Sequence, residues 1–108
     1  MAAVQLDGKA ITDWDSFHSI SHEVFGFPDV YGRTMDAWID CLSYLRDEDG
    51  MSKFRLKKDE TLRITVTDTD ALRKKAPEIL DDIVFCVDAI NDRYLDYGEK
   101  PALELKLA

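Results

Sequence analysis

Apolar residues recur along the chain in two rhythms. Steps of two run through Ala2–Leu6, where Val4 and Leu6 share a face. They return in Thr61–Thr67, where Leu62, Ile64 and Val66 alternate with Thr and Arg, and in Pro101–Leu107, with Leu103, Leu105 and Leu107 inward. This alternation predicts three strands, each buried on one side. Between them the period lengthens to that of a helix. Trp14, Phe17, Ile20, Ser21, Val24 and Phe25 predict a helix opened by Thr12 as N-cap, with Asp15 three residues on. Gly26, followed by Phe27 and Pro28, predicts its stop. The stretch Phe27–Leu45, FPDVYGRTMDAWIDCLSYL, reads as a turn over Asp29–Arg33 and then a helix capped by Thr34. Met35, Trp38, Ile39, Leu42 and Leu45 form its core face. Asp47–Glu60 is rich in charge, with Met51, Phe54 and Leu56 as anchors, and predicts a loop with room for one helical turn. Asp68–Asp70 caps a short helix through Lys75. Pro77 opens a long one to about Tyr97, ended by Gly98, with Ile79, Leu80, Ile83, Val84, Val87, Ile90 and Tyr94 inward.

Three strands separated by helices imply parallel pairing through right-handed crossovers. Parallel strands covered on both faces read as continuous apolar runs, whereas these alternate. The expected fold is therefore an α/β two-layer sandwich, a three-stranded parallel sheet with helices covering one face. At 108 residues the chain is expected to form a single domain, 1–108.

Charge narrows the partners. With 14 Lys and Arg against 22 Asp and Glu, the formal charge is −8. That argues against nucleic acid as a direct ligand, since phosphates need clustered cations. It favours a basic protein, drawn in by long-range steering. No apolar run approaches the ~20 residues that span a bilayer, and MAAVQLDGK lacks the layout of a secretory signal. The expected location is cytoplasmic, without membrane association. Cys41 and Cys86 fall inside helical patterns, far from any CxxC spacing, and are expected to be reduced.

Two polar stripes carry the candidate chemistry. On the central helix, Asp36, Asp40, Ser43 and Asp47 lie opposite the core face at i, i+4, i+7 and i+11. Aspartates four apart repel. Asp36 sits in the first turn, where the helix dipole favours it, and Arg33 is three residues away. Asp40 has no cation at three or four residues, so the ridge calls for a positive partner. On the last helix, Asp81, Phe85, Asp88 and Asp92 repeat the same spacing. An aromatic ring among three aspartates suits an interface rim; packing of Phe85 beneath the loop after Asp47 is the alternative. His18 and His22, four apart, have a metal-ligand spacing but no third ligand placed by sequence, so no metal site is expected. Asp36 and Asp40 as an acid–base pair would need a pocket to split their pKa values. There is no nucleophile elbow and no Gly-rich phosphate loop. The expectation is a protein that is not an enzyme, with no cofactor and no small-molecule substrate.

The run Phe27–Leu42, FPDVYGRTMDAWIDCL, resembles the central turn and helix of the barstar family of intracellular ribonuclease inhibitors. The matching pattern is Pro28, Asp29, Tyr31, Gly32, Asp36, Ala37, Asp40, Cys41 and Leu42. The resemblance implies that this helix and the turn before it plug a nuclease active site. Asp40 would occupy the place of the substrate phosphate, Asp36 would pair with a basic residue nearby, and Tyr31 would pack on the nuclease. Asp29, Val30, Gly32, Arg33, Thr34, Ser43 and Tyr44 would surround them. Val30 stands where the family has a second tyrosine, and Trp38-Ile39 reverses its Leu-Trp order. Its acidic residue from the last helix is matched by face only, by Asp88 or Asp92 beside Phe85. The implied partner is a basic nuclease or toxin bound one to one; a barstar-like acidic adaptor binding a non-nuclease protein through Phe85 is the alternative.

Overall fold

A computed structural model describes residues 2–108. The elements follow the order β1 (Ala2–Asp7), α1 (Trp14–Phe25), α2 (Met35–Leu42), β2 (Leu62–Thr67), α3 (Thr69–Lys75), α4 (Pro77–Asp96) and β3 (Leu103–Leu107). The three strands form one parallel sheet in the order β1-β2-β3. Register aligns Val4 with Ile64 and Leu105, and Leu6 with Val66 and Leu107. Side chains of one parity therefore stack into a single apolar face, which carries Val4, Leu6, Leu62, Ile64, Val66 and Leu103 into the core. The other face holds Gln5, Thr65 and Lys106, and a cross-strand pair in which Arg63 Nε donates to Glu104 at 3.1 Å. This is the expected sandwich, an α/β fold. Leu107 departs from expectation: it is exposed, at the end of the edge strand β3.

Local chemistry sets the helix ends. Asp13, not Thr12, caps α1: its carboxylate accepts from Ser16 N–H at 2.8 Å, and Ser16 Oγ accepts from Asp13 N–H at 3.1 Å. Gly26 closes α1 at φ 66, a left-handed conformation that glycine takes without steric cost. A Cβ there would lie 2.7 Å from Lys53 Cβ. Asp68 holds the N-cap position of α3 without any capping bond from its side chain. Pro77 stands in the first turn of α4.

The central helix is shorter than its apolar pattern. α2 ends at Leu42, and Ser43–Arg46 continue as turns. Leu45 is still fully buried, so its periodicity was real while the helix was not. Cys41 is buried too and stays a free thiol, as does Cys86. Burial pushes both thiols above their ordinary pKa. Residues 47–60 form turns with no helix. Ser52 Oγ donates to the Phe25 carbonyl at 2.6 Å, and Leu56 N–H donates to the Leu45 carbonyl at 2.7 Å. On α4, Val84 is 37% exposed rather than part of the core. Among the described residues no helix is long and apolar enough to cross a membrane.

Candidate functional site

The turn before α2 is tied down by groups distant in sequence. Tyr31 is only 7% exposed, and its hydroxyl lies 2.6 Å from His18 Nδ1 in a buried hydrogen bond. Its ring packs against Phe27 at 4.8 Å between centroids. Tyr31, expected to pack on a partner, is held largely within the core of the free chain, and desolvation raises its phenol pKa far above the ordinary value. His18 is buried as well, and desolvation, aided by the charge of Arg33, lowers its pKa. His22 instead reaches exposed Asp29 at 3.7 Å. The two histidines thus have separate partners, and the described residues hold no cluster of three or more His, Cys, Asp or Glu suited to a metal ion.

Arg33 adopts φ 55, unusual for a residue with a Cβ. Its Nη2 donates to Asp15 Oδ1 at 2.6 Å, to the Asp15 carbonyl at 2.9 Å and to Ser19 Oγ at 3.1 Å, which offsets the strain. The guanidinium is thereby engaged with α1 rather than with Asp36. Thr34 then caps α2 as expected, accepting from Ala37 N–H at 3.1 Å. Around these tied positions, Val30 is 88% exposed and Asp29 and Gly32 lie at the surface. Trp38 points inward, fully buried, with Nε1 donating to Ser21 Oγ at 3.2 Å.

Asp36 and Asp40 are both exposed on α2. Asp36 lies close enough to Cys86 of α4 to help raise that thiol's pKa, behind desolvation and Asp82. No ion pair reaches Asp36 among the described residues. Asp40 does have a cation, contrary to the reading from nearby positions. Arg93 of α4 donates from Nη1 to Asp40 Oδ1 at 3.1 Å and to Ser43 Oγ at 3.1 Å. Both charged side chains remain about half exposed, at 46% for Arg93 and 56% for Asp40. Ser43 Oγ in turn donates to the Ile39 carbonyl at 2.6 Å, and Tyr44 is exposed beside it.

These groups form one wall of an open cleft of about 930 Å³ between the end of α2 and the end of α4. Asp40, Ser43 and Tyr44 reach it with Asp47 of the same acidic stripe, together with Asp96 and Tyr97, which sequence reasoning left out of the site. Its floor is Tyr94, whose hydroxyl accepts from Leu45 N–H at 2.9 Å and donates to the Leu42 carbonyl at 3.2 Å. Arg46, almost fully buried, lies over the Tyr94 ring at 5.2 Å and donates to Glu99 Oε1 at 3.2 Å and to the Lys100 carbonyl at 2.8 Å. Asp29, Tyr31 and Arg33 line a separate hollow of about 250 Å³ with Ser19 and His22.

The stripe on α4 faces solvent. Phe85 is 70% exposed and is not covered by the loop after Asp47. Asp81, Asp88 and Asp92 are exposed beside it, and none of the four lines the cleft. One basic residue among the acids of α4, Arg93, was the available signal that the two helices meet there.

Residues 1–106 match the family described as Barstar (barnase inhibitor). No curated protein matches the chain.

Proposed function

The chain belongs to the Barstar family, and from that premise we propose that it inhibits a ribonuclease by laying the exposed acidic side of α2 into the enzyme's basic active site. A site that holds RNA phosphate is a cluster of desolvated cations, and a carboxylate on a rigid element mimics the phosphate oxygens. Asp40 takes the phosphate position and Asp36 the second anchor. Val30, Asp29 and Gly32 form the leading edge, with Thr34, Ser43 and Tyr44 behind them. Tyr31 and Arg33 contribute by fixing the turn from below. The observation that carries this reading is the pair of carboxylates, one turn apart and open to solvent, on a helix whose other side is locked into the core through Trp38 and Leu42. The net charge of −8 supplies steering toward a basic enzyme. The protein acts as a one-to-one blocker in the cytoplasm and not as a catalyst.

The test is inhibition of RNA cleavage. The purified chain is titrated into barnase and a panel of basic bacterial ribonucleases, with cleavage of a fluorogenic oligonucleotide as readout. Stoichiometric loss of activity for at least one enzyme, weakened by Asp40→Ala, is expected. Full activity of every nuclease at saturating protein refutes the reading.

A second reading rests on Phe85. Its 70% exposure among Asp81, Asp88 and Asp92 fits an acidic adaptor that docks a non-nuclease protein through α4. In that case Phe85→Ala weakens partner capture more than Asp40→Ala does.

A further inference from the structure

The ion pair on Asp40 is unused by the proposed mechanism and works against it. α4 carries Glu78, Asp81, Asp82, Asp88, Asp92 and Asp96 but only one base, and α2 carries two aspartates and none. That single base, Arg93, is placed on the carboxylate proposed to meet the nuclease, with Ser43 as its second acceptor. Stability does not explain the placement. Both side chains are about half exposed, and exposed pairs contribute little to folding. Relief of repulsion does not single out Asp40 either, since Asp36 repels it equally and has no cation partner among the described residues.

The geometry has a direct consequence for binding. A cation arriving at Asp40 finds a guanidinium already in place. It must displace Arg93 or sit beside it, and like charges brought together in an interface are strongly disfavoured. We propose that Arg93 is a specificity-determining residue. It is a built-in competitor for Asp40 that lowers affinity for phosphate-binding clusters of cations and so restricts the range of ribonucleases the surface accepts. This rests on the reading that Asp40 faces the partner. Discrimination by a deliberate mismatch is a general route to specificity.

Catalytically inactive barnase, the enzyme after which the family is described, is the probe. Its binding is measured by calorimetry at low and moderate salt for the wild type and for Arg93→Ala, Arg93→Glu and Arg93→Lys. Asp40→Ala and the Asp40→Ala/Arg93→Ala double variant complete the set. Removal of the guanidinium should tighten binding by about 10-fold or more, with a larger gain for Arg93→Glu. Arg93→Lys should stay near the wild type, and all gains should vanish without Asp40. Melting temperatures of the Arg93 variants should stay close to that of the wild type. Three results overturn the proposal: unchanged or weaker binding by Arg93→Ala, a gain that persists in the Asp40→Ala background, or no barnase binding even by Arg93→Glu. Binding weakened by Asp40→Ala but not tightened by Arg93→Ala is a failure of this inference alone. Binding that Asp40→Ala leaves unchanged is a failure of the reading beneath it.

Discussion

Replacing Tyr94 by phenylalanine removes one oxygen from the floor of the cleft and tests what holds the end of α2. That oxygen serves two main-chain groups, accepting from Leu45 N–H at 2.9 Å and donating to the Leu42 carbonyl at 3.2 Å. Leu42 is the last residue of α2 and Leu45 lies just past it, where the helix's last carbonyls lack partners within the helix. Without the hydroxyl, a buried amide loses its acceptor, and leaving such a group unpaired costs about 1–3 kcal/mol. The bond to Leu42 is long, so its loss belongs at the low end, about 0.5 kcal/mol. The ring of Tyr94 stays, along with the Arg46 guanidinium above it, so no cavity term is added. The sum is about 2.5 kcal/mol, or a fall in Tm of about 10 °C for a domain of this size. Urea unfolding followed by tryptophan fluorescence gives the free energy, with the denaturant slope unchanged. Hydrogen exchange at the Leu45 amide should quicken in the same variant. A loss below about 0.5 kcal/mol, with the Leu45 amide still protected, would refute the account of how α2 is terminated.

Other expectations follow from the same contacts. Asp40→Ala should leave stability within about 0.5 kcal/mol of wild type, because its ion pair is exposed. It should cost about 2 kcal/mol or more in affinity for a target ribonuclease, seen in the dissociation rate, and equal dissociation rates would count against its role. Gly26→Ala should cost about 1–2 kcal/mol, since the left-handed φ and the close Lys53 Cβ both oppose a side chain there; thermal unfolding checks it. Burial holds the His18 imidazole below its ordinary 6.5, so the neutral ring is favoured in the folded state. Its contribution to stability is fully present above pH 6.5 and is lost as pH falls from there through the folded-state pKa. An NMR titration placing the His18 pKa at or above 6.5 would contradict this.

The sheet was legible because strand alternation is a local property. Val4 and Leu6, Leu62 to Val66, and Leu103 all turned inward as their spacing implied. The limits of α4 were equally local, set by Pro77 and Gly98. What the sequence hid were pairings across long separations. Asp40 looked bare of cations because its partner lies 53 residues on, and Tyr31 looked presentable because His18 lies 13 residues back. The end of α2 was hidden for the same reason: Leu45 keeps the apolar rhythm, while the group that ends the helix belongs to Tyr94. Asp96 and Tyr97, which share the cleft with Asp40, are brought to it from the end of α4 only by folding.

α2 has eight residues, fewer than an isolated helix needs to persist in water. Its ordered form is borrowed from the surroundings: Thr34 at one end, Tyr94 at the other, and the indole of Trp38 beneath. A denatured copy of this chain carries the same aspartates yet displays no ridge. If the chain inhibits a ribonuclease as proposed, its potency should track the native fraction, so that heat, urea or a protease that attacks the opened chain disarms it in step with unfolding. Degradation of the unfolded chain would end the proposed inhibition at the same moment, with no separate switch.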